Sequence, residues 1–156
     1  MDTVRLENGR LTEREIVEHP GAVAVVALDG DDNVILVRQF RKPAEMELLE
    51  IPAGTLEAGE EPIACAQREL KEETGYLAEC LEQIGGFYSS PGFCTEHIRL
   101  YLATGLREGR SAPEDDEAIR IIKVPLSDIP AMVSQGKICD GKSIAGLLSV
   151  LPLRPT

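Results

Sequence analysis

The chain has 156 residues, of which 43% are hydrophobic, and carries a formal net charge of −11 at pH 7. This length predicts one domain, residues 1–156, that can bury a substantial core. Proteins that bind nucleic acids or anionic membranes need basic patches, so the excess of acid argues against both classes. No apolar run reaches the roughly 18 residues that a membrane-spanning helix requires.

The N-terminal segment and the cysteines bear on where the protein works. The segment MDTVRLENGRLTERE is charged throughout and lacks the apolar stretch of a signal peptide. The four cysteines show no C-x-x-C spacing and the chain has only two histidines, which argues against a zinc site. We therefore expect free thiols in a reducing cytoplasm.

The first elements of the chain are predicted to be strands. Val4–Leu6 and Glu15–Glu18 are expected to form two short N-terminal strands. Ala22–Leu28 is almost continuously apolar, which is typical of a strand buried on both faces. The acidic, glycine-containing segment 29–33 predicts a turn, after which Val34–Gln39 returns as the antiparallel partner.

A helix is predicted over Pro62–Thr74. Proline suits the first helical turn, and Gly75 supplies the left-handed residue expected just past the C-terminus. The acids Glu60 and Glu61 precede the helix and complement the positive end of its dipole. One apolar stripe of the helix is expected to pack on a sheet and consists of Ile63, Ala66, Leu70 and Thr74.

The remaining elements complete a mixed α/β pattern. Three further strands are predicted, at Leu81–Tyr88, His97–Thr104 and Ile119–Val124. Two further helices are predicted, at Ser127–Gln135, with Ser127 as N-cap and Gly136 just past the end, and at Lys142–Leu151. Strands and helices in this order predict an α/β domain around a mixed sheet.

Three carboxylates project from one side of the predicted helix. Glu69, Glu72 and Glu73 are spaced i, i+3 and i+4, and Arg68 lies four residues before Glu72 and can pair with it. Carboxylates this close repel one another, and a hard divalent cation such as Mg²⁺ or Mn²⁺ would offset that repulsion. A solvated amphipathic helix is the alternative that the acids alone leave open.

The segment from Gly54 to Tyr76 reads G-x5-E-x7-R-E-L-x-E-E-x-G-Tyr and resembles the Nudix box at each defined position. The resemblance implies a Nudix-type α/β/α sandwich around a mixed sheet, preceded here by short N-terminal strands. It also implies hydrolysis of a nucleoside diphosphate linked to another group. The metal ligands for two to three Mg²⁺ (or Mn²⁺) ions would be Glu69, Glu72, Glu73 and the carbonyl of Ala53. Arg68 would orient the acids.

Outer features resemble the ADP-ribose pyrophosphatase branch of that family. Pro91 follows Gly75 by 16 residues, within Ser-Ser-Pro-Gly, and the segments 37–41 and 49–54 also resemble that branch. The branch implies hydrolysis of ADP-ribose to AMP and ribose 5-phosphate. Candidate substrate-binding residues are Arg41 for the phosphate or adenine side, Glu96 for the terminal ribose, Gly54 and Pro91. An exposed surface position is the alternative for Arg41 and Glu96.

The acidic loop 113–117 lies before the last predicted strand. In ADP-ribose pyrophosphatases the corresponding loop carries a Glu-x-Glu pair, which falls on Asp115 and Glu117 here. The first acid of this chain is thus one methylene shorter than in the family, so its reach is reduced. Glu117 is expected to be the general base, with Asp115 second. Neighbouring Glu114 or a glutamate of the box could take this role instead, and a solvated loop is the alternative for the acidic run as a whole.

The branch resemblance also implies an intertwined homodimer. Residues 1–20 would complete the partner's adenine pocket, which would make Arg14 and Glu15 contributors in trans; a plain charged strand edge is the alternative.

Two rival functions remain open. One is a pyrophosphatase for another nucleotide sugar or dinucleotide, such as GDP-mannose. The other is a non-catalytic ADP-ribose sensor, which would be expected to have lost some of the acids that are intact here.

Overall fold

The computed structural model describes residues 1–109 and 119–153. Its nine strands are β1 (Asp2–Arg5), β2 (Leu11–Arg14), β3 (Ala22–Leu28), β4 (Asn33–Arg41), β5 (Met46–Glu50), β6 (Ala53–Thr55), β7 (Tyr76–Tyr88), β8 (His97–Glu108) and β9 (Arg120–Pro125). Its α-helices are α1 (Pro62–Thr74), α2 (Ile129–Ser134) and α3 (Gly141–Val150). Short 3₁₀ turns lie at Lys42–Ala44, Leu126–Asp128 and Leu151–Leu153.

Seven strands form one mixed sheet. Its central path is β5-β4-β3-β8-β7, with β6 also paired to β3 and β9 to β4. β3 and β8 run parallel, and the other pairs are antiparallel. β4 pairs with β3 only at Ala27↔Ile35 and Leu28↔Val34, so the other half of that β3 edge is open to β6.

The core lies in two layers, one on each face of β3. All seven residues of β3 are buried, as the apolar run predicted. Alternate β3 side chains belong to different clusters: Val23 and Val25 pack in the cluster that holds Leu70 of α1, whereas Ala24 and Val26 pack in the one that holds Leu147 of α3. Helices therefore cover both faces of a mixed sheet, and the predicted α/β/α sandwich is confirmed.

The helix over Pro62–Thr74 has the predicted bounds, and Gly75 adopts the left-handed conformation at φ 74. Ala66, Leu70 and Thr74 are buried as predicted, but Ile63 is 51% exposed. Cys65 takes the buried position in the first turn instead. The stripe predicted from the helical period was therefore wrong at its N-terminal end, where the buried side of the helix contains Cys65 rather than Ile63.

The N-terminal strands differ from the prediction. The second strand is Leu11–Arg14 rather than Glu15–Glu18, and it pairs antiparallel with β1 in a separate two-stranded sheet. Gly9 lies at φ 81, and its N–H donates to the Leu6 carbonyl at 2.9 Å, so the chain turns back within a few residues. Between β2 and β3, Val17 makes an isolated parallel bridge to Cys94.

Several later bounds also shifted. β7 begins at Tyr76 rather than Leu81 because β8 extends to Glu108 and pairs with it over that length. Ser127 does not cap a helix, since it lies in the 3₁₀ turn before α2. Asp140 caps α3 by accepting a hydrogen bond from the Ser143 N–H. None of the helices in the described ranges is long and apolar enough to cross a membrane.

Candidate active site

Strand β6 places the chain's backbone against the acidic side of α1. It is only three residues long and its conformation is held by pairing with β3, with Val23 opposite Gly54 and Ala24 opposite Ala53. The Val25 N–H also donates to the Pro52 carbonyl at 2.8 Å. Because this pairing anchors one side of β6, its other side is left to α1 and to the carboxylates there.

Gly54 is needed for the space that its missing side chain leaves. A Cβ at this position would lie 1.9 Å from Cδ of Glu69 and 2.0 Å from its Oε1. Glycine is therefore required by a close approach, and the Glu69 carboxylate occupies the position that any side chain would fill. Glu69 is only 13% exposed there, and its pKa is raised because burial outweighs the nearby charge of Arg68.

Glu73 lies one turn further along α1, beside the same strand. Its Oε2 accepts a hydrogen bond from the Ala53 N–H at 3.2 Å. Burial raises the pKa of Glu73 to about 8, and the negative charge of Glu69 adds to this effect. The Ala53 N–H and the positive charges of Arg41 and Lys142 oppose the rise. Near neutral pH and without a cation, the site therefore favours a protonated Glu73.

Arg68 organises the acids at the start of the box. The predicted pair with Glu72 is present at 3.1 Å, and a second contact joins Arg68 to Glu69 at 2.7 Å. Its strongest partner was not predicted: Glu60 accepts from Nε at 2.8 Å and from Nη2 at 2.9 Å. These hydrogen bonds lower the pKa of Glu60 to about 2. Glu60 thus holds the Arg68 guanidinium, beyond the helix-dipole role expected of it.

The three box glutamates are not equally placed. The Glu69 and Glu73 side chains contact Gly54 and Ala53 of β6. The Glu72 side chain is 57% exposed and pairs with Arg68 instead. Within the described ranges, no group of three His, Cys, Asp or Glu side chains is close enough to hold a metal ion as the side chains stand. The backbone nevertheless places all three acids on one side of α1, next to the Ala53–Gly54 segment.

The residues present fit a hard divalent cation. Two neighbouring carboxylates, Glu69 and Glu73, have pKa values that are raised mainly by burial, and a bound cation would favour their charged forms. The space over Gly54 is kept open for one of them. Carboxylate and carbonyl oxygens are the donors that Mg²⁺ and Mn²⁺ prefer.

A cavity of about 470 Å³ opens beside β6. It contains four of the residues singled out in the sequence, Arg41, Ala53, Gly54 and Glu96. The others along its wall are Ala22, Val23, Thr55, Phe87, Ser89, Ile98, Asp140, Gly141 and Lys142. Its size is in the range of small-molecule sites, and it adjoins the box acids because two of its lining residues, Ala53 and Gly54, contact Glu73 and Glu69.

Two of the predicted substrate contacts, Arg41 and Glu96, line this wall and have defined partners. Arg41 is not an isolated surface side chain, since its Nε and Nη2 donate to the two carboxylate oxygens of Glu50, each at 2.8 Å. Glu96 lies 3.5 Å from Nε2 of His19, whose Nδ1 accepts the Gly21 N–H. Both side chains are therefore held in place at the cavity.

The other predicted contacts lie elsewhere. Pro91 is exposed in a turn in which the Ser90 carbonyl accepts the Cys94 N–H at 2.9 Å. Arg14 and Glu15 are exposed at the end of β2, and in the part of the chain that the structure describes they do not line the cavity. The proposed general bases, Glu117 and Asp115, lie outside the described residues.

Sequence reasoning missed two functional residues, Lys142 in the cavity wall and the buried acid Glu50 that it contacts. Glu50 is 1% exposed and bound by Arg41 and Lys142, and Lys142 also donates to Asp140 at 2.9 Å. The available signal was a lone acid in the otherwise apolar segment Leu48–Ala53. A buried strand carries such an acid only if cations elsewhere in the chain reach it.

Comparisons with known proteins agree with this geometry. Residues 18–144 match the family model described as NUDIX domain. The chain is 44% identical over 146 residues to the methanol dehydrogenase activator of Bacillus methanolicus, which covers 92% of this chain and 79% of that protein. It is 46% identical over 145 residues to the ADP-ribose pyrophosphatase of Bacillus subtilis (strain 168), which covers 92% and 78%. A crystal structure of an ADP compounds hydrolase superposes with a TM-score of 0.86 at 24% identity, over 97% of this chain and 82% of that one, and supports the fold.

Proposed function

The chain belongs to the NUDIX domain family, and from this premise we propose that it hydrolyses the pyrophosphate bond of ADP-ribose to AMP and ribose 5-phosphate. The observation that carries the proposal is that Glu69 and Glu73 of α1 lie against strand β6, at the edge of a cavity that can admit a nucleotide sugar. The likeness to an ADP-ribose pyrophosphatase over most of both chains supports the choice of substrate.

The reaction is proposed to depend on Mg²⁺ or Mn²⁺. Glu69, Glu72, Glu73 and the Ala53 carbonyl would hold two to three ions, which supply positive charge against the phosphates and lower the pKa of a water. The protein's own part is to position these oxygens. Arg68 restrains two of the acids through its contacts at 2.7 and 3.1 Å, and Gly54 leaves the space for Glu69.

The substrate would lie along the cavity wall. Arg41, fixed by Glu50, is proposed to contact the phosphate or adenine side, and Glu96 the terminal ribose. Glu117, with Asp115 second, is proposed as the general base that takes the proton of the attacking water. Pro91 would act through the shape of its turn, because it is exposed outside the cavity wall.

We further propose that residues 1–156 work as one domain in a cytoplasmic homodimer. The hairpin of β1 and β2 forms a sheet of its own, and its apolar side chains Val4 and Leu11 are 40% and 61% exposed. A second copy that received residues 1–20 would cover them and bring Arg14 and Glu15 to the partner's cavity. The four cysteines are free thiols, which suits a reducing compartment. Sedimentation at micromolar concentration tests the dimer, and a 17.0 kDa species would contradict it.

The test of the activity is phosphatase-coupled hydrolysis, because both products are phosphate monoesters and the substrate is not. ADP-ribose, GDP-mannose, UDP-glucose, NADH and diadenosine polyphosphates are compared with and without Mg²⁺. A metal-dependent preference for ADP-ribose is expected. Preference for GDP-mannose or a dinucleotide would keep the chemistry and overturn the substrate, and binding of ADP-ribose without turnover of any compound would favour a sensor.

A further inference from the structure

A buried ionic network lies at the cavity wall, and the reaction as described uses only its arginine, Arg41. Glu50 is 1% exposed, and its carboxylate accepts two hydrogen bonds from Arg41 and one from Lys142. Burial by itself would raise the pKa of Glu50, but these two cations lower it, so the group is charged. Removing one partner from such a network leaves an uncompensated buried charge, which is strongly unfavourable.

Lys142 lies at the cavity surface and has a hydrogen-bond donor left for a ligand. It is the second residue of α3 and lines the cavity together with Asp140 and Gly141. Its ammonium group has three N–H donors, of which one goes to Glu50 and one to Asp140. The remaining donor can be given to a group in the cavity. Asp140 is itself fixed by the Ser143 N–H at 3.0 Å, so the ammonium is held by acids that cannot easily move.

The network also adjoins the box acids. Arg41 and Lys142 line the same cavity as Ala53, whose N–H donates to the Glu73 carboxylate at 3.2 Å. A diphosphate that extends from Glu73 and Ala53 into this cavity would therefore come within reach of two fixed cations. Buried ion pairs are often no more stabilising than apolar residues of the same volume, so stability alone does not account for this network at a cavity wall.

We propose that Lys142 binds a phosphate oxygen of the nucleoside diphosphate substrate, and that Glu50 is the positioning residue that holds Lys142 and Arg41 for this contact. The inference rests on the proposed function and adds to it a binding residue contributed by the C-terminal helix. A charge-assisted hydrogen bond to phosphate predicts that its loss weakens binding about ten- to a hundredfold.

The test is titration calorimetry with the α,β-methylene analogue of ADP-ribose in the presence of Mg²⁺, since the methylene bridge prevents hydrolysis. K142Q is expected to lose about ten- to a hundredfold in affinity, and K142R to keep most of it because the charge remains. Lys137, exposed between α2 and α3, provides the matched control K137Q, which removes the same charge and should bind normally. Equal affinity of K142Q and the unmodified protein would overturn the inference.

Glu50 is tested by a double-mutant cycle. E50Q is expected to weaken binding, and the E50Q/K142Q double variant should lose less affinity than the sum of the two single losses, because part of the effect of Glu50 acts through Lys142 and the rest through Arg41. Fully additive losses would overturn the positioning role. Should a variant not fold, acetylation of the unmodified protein followed by mass spectrometry gives the same answer: the analogue should protect Lys142 and not Lys137, and equal labelling of Lys142 with and without it would refute the contact.

These results are distinguishable from a failure of the proposed function. If the unmodified protein neither binds the analogue nor hydrolyses ADP-ribose, the proposed function is overturned and the inference with it. If the unmodified protein does both and K142Q does so equally well, only the inference is overturned.

Discussion

Metal binding at pH 7 is expected to displace a proton from Glu73. Burial raises the pKa of this carboxyl from 4.5 to about 8, so in the metal-free protein at pH 7 about 0.9 of the molecules carry the proton, against about 0.1 at pH 9. A cation requires the charged form. Binding should therefore release about 0.9 proton from Glu73 at pH 7, and apparent affinity should rise about tenfold for each pH unit up to about 8.

The same displacement has a consequence for stability. The pKa of Glu73 in the folded, metal-free protein lies above its ordinary value, so the folded state binds the proton more tightly than the unfolded state. The free energy of unfolding should then fall as pH rises from 4.5 through 8, by about 1.4 kcal/mol per pH unit and about 5 kcal/mol at most in total. Bound Mg²⁺ should remove this loss, since it stabilises the charged carboxylate.

Calorimetry in buffers with different ionisation enthalpies measures the proton release directly. The difference between the unmodified protein and E73Q isolates Glu73 from Glu69, whose pKa is also raised. The matched control is E82Q, which removes an exposed acid on β7 and should leave the release unchanged. The reasoning would be refuted if Mg²⁺ or Mn²⁺ bound at pH 7 with less than about 0.3 proton released, or if E73Q released as much as the unmodified protein.

Three further predictions address the support of the site. G54A should lower kcat/KM about a hundredfold in Mg²⁺, because its Cβ would displace the Glu69 carboxylate. The control G30A should leave kcat/KM unchanged, since a Cβ at Gly30 meets no atom within 4 Å. Normal kinetics for G54A would contradict the close approach. E60Q should lower kcat several-fold by releasing Arg68, with E61Q as the control. Because the pKa of Glu60 is lowered to about 2, the Arg68–Glu60 pair stabilises the fold above about pH 4.5, and this stabilisation is lost as pH falls through 2. The free energy of unfolding of E60Q should therefore change less over that pH range than that of the unmodified protein. S143A should lower the free energy of unfolding by about 1–3 kcal/mol in urea, because the buried Ile51 N–H donates to Oγ at 2.9 Å and would lose its partner; a loss of less than about 0.5 kcal/mol would mean that water replaces the hydroxyl.

Local features of this protein could be predicted from the sequence because their causes are local. Helix α1 has the predicted bounds, since proline at its start and a left-handed glycine at its end act within a few residues. Burial of β3 on both faces follows from its uninterrupted apolar run. The acidic side of α1 and the Arg68–Glu72 pair follow from helical spacing.

The prediction failed where conformation depends on a distant partner. β6 has only three residues and no hydrophobic periodicity. It is extended because it pairs with the part of the β3 edge that β4 leaves unpaired. The second N-terminal strand begins at Leu11 rather than Glu15, because the turn at Gly9 reverses the chain earlier than the sequence predicted. Ile63 was expected in the core from its helical phase, but Cys65 is the residue of that turn that packs there.

The sequence by itself determined the chemistry of this protein, because the types and spacing of the acids on one helix are a local property of the chain. Only the tertiary structure decided how that chemistry is held. Strand pairing brought Gly54 under Glu69, and a lysine 92 residues away from Glu50 in sequence came to share its buried carboxylate. Such contacts depend on how the three layers pack together, and the residue types involved do not indicate which distant residue each will contact.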